Sequence, residues 1–230
     1  KYGKKIGIYS IGPAGEFKMK AASISSIDLE GYPSRHAARG GLGAVMGSKG
    51  LKAVVSFPSK TSEIKFYDFD EFAKHARPFA KNLAETKEKF STYGTAGMID
   101  LMNNLGALPT KNFSMGKFDK TQNITGQKLN ELIQKRGGKN RLACSPTCTI
   151  RCSNLFNDKN GNHITSSFEY ETIVMNGSNL LIGDLDDLAQ IDHLCDDVGI
   201  DTIEFGATMG VTMESGKIQD VTPLIFYLSR

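Results

Sequence analysis

The 230-residue chain has no tryptophan, four histidines and four cysteines. Four thiols in this length are far below the density of a disulfide scaffold. Long apolar runs are absent as well. No stretch approaches the roughly 18–20 residues that cross a bilayer, so no membrane partner is expected. The opening KYGKKIGIYSIG lacks the apolar core and small-residue cleavage site of a secretory leader. Charge of one sign is scarce: 28 basic against 25 acidic residues leave +3. The lysines are interspersed with acids, which gives no footprint for nucleic acid. With 40% hydrophobic and 23% charged residues, the chain has the makings of a globular core.

Three of the four cysteines nevertheless crowd into CSPTCTIRC, at Cys144, Cys148 and Cys152. Mutual disulfides there would be strained and would leave one thiol over, so the segment reads as metal ligation in a reducing compartment such as the cytoplasm. Thiols at i, i+4 and i+8 stay roughly on one face of a helix. Pro146 favours a loop running into a helix instead, and either path can converge three thiolates. An iron–sulfur cluster uses such thiolates with one ligand from elsewhere. Structural zinc needs four Cys or His ligands, with Cys195 or His163 as the fourth. The third reading is three small buried hydrophobes. Lys139, Arg141 and Arg151 would stabilise an anionic cluster, or form a solvated face.

A second concentration is glycine, in RGGLGAVMGSKGLK at 39–52. No acid follows the next strand as a dinucleotide fingerprint requires, and the spacing is not that of a P-loop. What remains is a flexible backbone with free N–H groups beside Arg35, Arg39, Lys49 and Lys52. It suits a phosphate or other anion, or is a turn that needs glycine for geometry. Acids gather in DDVGID (196–201), just past a helix end, where they oppose the helix dipole. They can accept from a heterocycle rich in N–H groups, or be a solvated terminus. In FEYETI, Glu169 and Glu171 lie two apart, so one is expected to face a pocket and serve as a proton relay, or both are surface charge.

The expected fold is α+β: a short β-rich N-terminal portion (1–58), then a mostly α-helical part (59–230). Strands are expected at 5–12, 18–29 (with Ile24, Ile27 and Leu29 buried) and 51–57, the last ended by Pro58. Helices are expected at 67–94, 95–106, 127–138, in part of 168–181, at 184–199 and at 202–216. Asp68 or Asp70 caps the first, and Pro78 is placed to kink it. Asp184 caps the helix that Gly199 stops. A small hairpin is expected around 156–164. The start at Lys1 and the apolar end PLIFYLSR suggest a piece of something longer.

In combination and in order, IGPAGE (11–16), RHAARGGLGAVMGSKGLKAVV (35–55), YGTAGMIDLMNNLGALPTKNF (93–113), the cysteine segment, FEYETIVMNGSNLL and LCDDVGIDTIEFG resemble the aldehyde:ferredoxin oxidoreductase family of tungsten-pterin enzymes. The resemblance implies a tungsten (or molybdenum) bispyranopterin whose phosphates meet at Mg2+, and a [4Fe–4S] cluster that passes electrons to ferredoxin. It implies cluster ligands at Cys144, Cys148 and Cys152. It implies pterin contacts from Asp196, Gly199, Ile200 and Asp201, and cofactor contacts from Arg39 with Gly40 and Gly41. Glu171 becomes a proton relay near the metal during oxidation of an aldehyde. The family's commonest cysteine spacing is Cys-x-x-Cys-x-x-x-Cys, so Cys144 stands one residue early. Its later D-x-x-G-L-C motif, which carries the fourth cluster ligand, has no counterpart in this chain. The chain therefore reads as the middle of a longer enzyme, compatible with a homo-oligomer. A zinc-stabilised binding module and an inactive electron-transfer or structural family member are the alternatives.

Overall fold

The computed structural model describes residues 6–57 and 64–219. The run after Ile6 forms β1 (Gly7–Ile11), and the GPAGE turn is one helical turn, α1 (Pro13–Glu16). Pro13 sits at its first position, where the missing N–H would have had no partner. β2 (Ile24–Ser26), β3 (Arg35–Ala37), α2 (Leu42–Ser48) and β4 (Ala53–Ser56) follow. The four strands make an antiparallel sheet in the order β3-β2-β1-β4. Tyr9 stands opposite Ser26 on one side and Val54 on the other. The fold class is α+β, as expected.

Two N-terminal expectations change. The strand expected over 18–29 shrinks to three residues. The chain turns at Asp28, whose carboxylate accepts from the Tyr32 amide at 2.8 Å, and Ile27 and Leu29 are left on the surface. The glycine-rich stretch is a turn that needs glycine, with Gly40 and Gly41 at φ 93° and 68°, followed by the helix α2 rather than by further flexible backbone. Gly43 and Gly47, four apart, share one face of α2. A Cβ on Gly47 would lie 2.0 Å from the Gly15 carbonyl oxygen, so glycine lets the helix lie directly on α1. Pro58 lies outside the described residues, as do Lys1 and the apolar end at 223–230.

The second part runs α3 (Phe69–Thr86), α4 (Glu88–Tyr93), α5 (Ile99–Asn104), α6 (Gly126–Lys135), β5 (Lys139–Leu142), β6 (Ser153–Asn157), β7 (His163–Ser166), α7 (Tyr170–Asn176), α8 (Leu185–Val198) and α9 (Thr202–Glu214). The helix expected over 67–94 is two, broken at Lys87 rather than at Pro78. Asp68 caps α3 by accepting from the Glu71 amide at 2.9 Å. Only Ala73 of its apolar stripe is buried; Phe69 and Phe72 pack on Phe66 at the surface instead. The expected hairpin exists as β6–β7, with β5 added as an edge strand. The sequence of β5, KNRL, carries no apolar alternation to announce it. The core lies in this part: Ile99, Leu108, Ile124, Leu129, Phe156, Phe168, Ile173 and Leu188 are fully buried. The Phe156 and Phe168 rings meet edge-on at 5.7 Å. Among the described residues no helix is long and apolar enough to cross a membrane.

Candidate functional site

The site begins at the joint between the two parts. Asp184 starts α8 by accepting from the Asp186 amide at 2.7 Å, and Gly199 ends it in the left-handed conformation at φ 79°. The chain then runs beside residues 21–23. Ser23 donates its amide to the Gly199 carbonyl at 2.8 Å, Asp201 donates its amide to Ala21 at 3.0 Å, and Ala22 bridges Ile200. The backbones nearly touch: a Cβ on Gly12 would lie 2.4 Å from the Val198 carbonyl oxygen. This seam sets β3 beside the end of α8 and the starts of α7 and α9.

Between them lies a polar cavity of about 330 Å3, walled by Arg35, His36 and Arg39, by Ser166, Ser167, Glu169 and Glu171, and by Asp192, Asp196 and Asp201. Five residues given roles by the family resemblance meet there: Arg39, Glu171, Asp196, Ile200 and Asp201. Gly40, Gly41 and Gly199 are not on the wall. Gly41 caps α2 in the left-handed conformation, against the Lys20 carbonyl oxygen, and Gly199 serves the seam.

Both glutamates of FEYETI line the cavity, not one. Glu171 is exposed at its rim. Glu169 is the more enclosed, and its Oε2 accepts from Thr95 Oγ1 at 2.6 Å. Burial raises its carboxyl above the usual carboxylate range, against the pull of Thr95 and Arg35. Asp192 is buried, accepts from Thr165 Oγ1 at 2.7 Å, and is raised well above its usual value by burial and by Asp196. His36 lies with Nδ1 2.7 Å from Ser23 Oγ and Nε2 3.1 Å from Asp196 Oδ1. Burial pulls its pKa down, but the bond to Asp196 and its charge outweigh that, and the net shift is upward.

His36 and Asp192 are wall residues that sequence reasoning did not single out, while Arg35 had been grouped with the cations beside the glycine stretch and Glu169 paired with Glu171. One signal was available for Asp192: it stands four before Asp196, on the same face of a helix.

Two buried atoms on this wall have no partner among the described residues. Asp201 is 3% exposed; one of its oxygens caps α9 and Oδ2 accepts nothing. Arg35 donates from Nη2 to Ser153 Oγ at 2.6 Å, while its Nε donates to nothing. Buried polar atoms are ordinarily satisfied. An orphan acceptor and an orphan donor in one cavity fit a bound heterocycle with both N–H groups and ring acceptors, as a pterin has.

The cysteine segment is the loop between β5 and β6, and it runs into a strand rather than a helix. Cys144 is exposed, while Cys148 and Cys152 are half-buried. The amide of Arg151 and then the Cys144 thiol and the Ile150 amide turn toward the Cys148 sulfur and lower its pKa, against slight burial. Burial and then Glu169 raise that of Cys152. Among the described residues no three His, Cys, Asp or Glu side chains converge on a single ion. His163 is stacked on Tyr32, with centroids 3.7 Å apart, and Cys195 is buried in the core. A four-iron cluster places each thiolate on a different iron and tolerates wider spacing. Three thiols with amides aimed at one sulfur fit three of its four ligands. The loop adjoins the cavity, since Ser153, next to Cys152, holds Arg35.

The family described as aldehyde ferredoxin oxidoreductase, domains 2 and 3, matches residues 71–222, and the N-terminal domain of aldehyde ferredoxin oxidoreductase matches residues 1–56. The tungsten-containing aldehyde ferredoxin oxidoreductase of Pyrococcus furiosus is 35% identical over 223 residues, 94% of this chain and 35% of its own length. That of Thermococcus kodakarensis is 35% identical, covering 91% of this chain and 33% of its own. The chain thus spans about a third of these relatives. The active site complex BamBC of benzoyl coenzyme A reductase, solved with 1,5-dienoyl-CoA, shares the fold at a TM-score of 0.66 and 18% identity, over 93% of this chain and 33% of that one. With both of its parts matched in order, the chain belongs to the aldehyde ferredoxin oxidoreductase family.

Proposed function

We propose that this chain forms one wall of a tungsten (or molybdenum) bispyranopterin site and supplies three thiolates of a [4Fe–4S] cluster, within an enzyme that oxidises aldehydes to carboxylic acids and passes the electrons to ferredoxin. The observation that carries the reading is the orphan pair, Asp201 Oδ2 and Arg35 Nε, buried in one cavity. When bound, the pterin metal supplies the two-electron oxidation and the cluster supplies one-electron transfer.

The residues divide the remaining work. Asp201 Oδ2 accepts from a pterin N–H, and Asp196 adds a second acceptor. Arg35 Nε donates to a ring acceptor. Arg39 offers charge to an anionic group of the cofactor, whose phosphates would carry their own Mg2+. Cys144, Cys148 and Cys152 hold the cluster, next to the cavity. Oxidation of an aldehyde with water yields an acid, two electrons and two protons. Glu171, at the rim, takes a proton from the reacting centre toward solvent, and Glu169 behind it holds one more readily than an ordinary carboxylate. Such an assembly suits the reducing cytoplasm.

Metal content of the intact protein, purified without oxygen, tests this. Tungsten or molybdenum with about four irons per chain, the content of one [4Fe–4S] centre, is expected. Zinc alone, or no metal, would mean that the fold has kept the family's shape without its chemistry. In the loaded enzyme, Glu171→Gln is expected to lower kcat by about 10²-fold, the lower end for a positioned acid–base group. Unchanged turnover removes Glu171 from the proton path.

A further inference from the structure

Among the motif acids of the cavity, Asp196 has a partner from across the seam. His36, in the middle of β3, reaches Asp196 Oδ1 with Nε2 at 3.1 Å, while Ser23 Oγ holds Nδ1 at 2.7 Å. The two side chains are only 10% and 19% exposed. The Pro33 carbonyl also lies 3.1 Å from Nε2. With both ring nitrogens engaged, the imidazole has a fixed orientation. Ser23 is itself fixed, since its amide bonds to Gly199 in the same motif as Asp196. The ring is thus sewn at both ends to the segment 196–201.

We propose that His36 is a positioning residue for the pterin site: its ring, held by Ser23, ties down one oxygen of Asp196 across the seam and keeps that side chain in one rotamer, available to the cofactor. The idea rests on the pterin reading above. Asp196 at a helix end is otherwise ill placed as an anion, because the α8 dipole disfavours it and Asp192 adds a like charge when ionised. A cation beside it offsets both. Charge-assisted bonds of this kind are also the strong ones.

The groups that face the pair are few. Asp196 and Asp201 favour the protonated ring. Asp192 lies next to Asp196 on α8, and His163, on β7, also feels Asp196. Arg35 and Arg39 flank the ring on its own segment. With a folded pKa raised above 6.5, the clamp contributes fully below pH 6.5 and is lost as pH rises through the folded value.

The test uses the intact protein, its His36→Ala and His36→Gln variants, and two readouts between pH 5.5 and 9. The first is pterin retained per chain after dialysis, read by the fluorescence of the oxidised pterin released on denaturation. Wild type is expected to hold pterin best at the acid end and to shed it as pH rises. His36→Ala should retain it about tenfold more weakly at the acid end, the factor that one charge-assisted bond is worth. His36→Gln, which can donate without charge, should recover part of that retention and lose the pH dependence. Equal retention and equal pH profiles in all three overturn the proposal. The second readout is Tm, which needs no cofactor. Relative to His36→Gln, wild type should lose Tm as pH rises past 6.5, and parallel curves overturn the clamp. Wild type without pterin but with the expected Tm difference would sink the pterin reading and, with it, the positioning role, leaving a structural clamp.

Discussion

The two parts of the chain hold together by different means. The helical part has a continuous buried cluster running from Ala96 to Cys195, with Phe156, Phe168 and Leu188 sealed from water. Among its described residues, the N-terminal part buries only Ile11, Ala14, Ala22 and Met46 of its apolar side chains, and every residue of β4 is exposed. Its order comes from backbone contact, with α2 laid on α1 through Gly47 and residues 21–23 bonded to 199–201. A part that depends on its neighbour in this way has its orientation fixed by the seam. The cavity walls that need the most exact placement, His36 against Asp196 and Arg35 against Ser153, are the ones that cross it. One part supplies stability, and the other supplies cations placed against the first part's acids.

The largest break in this comparison comes from the core. Phe168→Ala removes a fully buried ring packed on Phe156. It should cost about 3–5 kcal/mol, read as a fall in the urea midpoint with both parts unfolding together. If the N-terminal sheet persists after the core has melted, it does not depend on its neighbour.

The next effect is local. Gly199→Ala places a Cβ in a left-handed residue, at about 1–2 kcal/mol, and 2.9 Å from the Gly12 nitrogen. Amide exchange should speed up at Ser23 and Asp201, whose bonds make the seam, while Leu188 and Ile173 in the core keep their protection. Equal loss in both places would show that the seam and the core open as one unit.

The same contrast explains what was legible in the sequence. Asp184 and Gly199 announce the ends of α8 because caps and stops act within a few residues of themselves. The glycine stretch misled because the sequence displays the glycines but not what lies against them: Gly47 faces a carbonyl 32 residues earlier in the chain, that of Gly15. The meeting of the cavity walls was hidden for the same reason. Arg35 meets Ser153 across 118 residues, and nothing local to either one encodes that meeting. The α3 stripe had the periodicity of a buried face, yet Phe69, Phe72 and Phe79 are exposed. Periodicity states which residues share a face, and a partner must be present for the face to be buried.

The smallest expected effect sharpens the comparison most. Val54 is central in β4, opposite Tyr9, and 46% exposed. Val54→Thr keeps the branched shape that a strand favours and exchanges one methyl for a hydroxyl. On an open face the hydroxyl meets water, and the change should stay within about 0.5 kcal/mol, as surface substitutions do. Under a covering layer the same hydroxyl would be stripped of water without a partner, at about 1–3 kcal/mol. Urea unfolding of the intact protein and its Val54→Thr variant separates the two. A cost at the upper end would make this sheet an interior layer, with stability of its own and no need to borrow it through the seam.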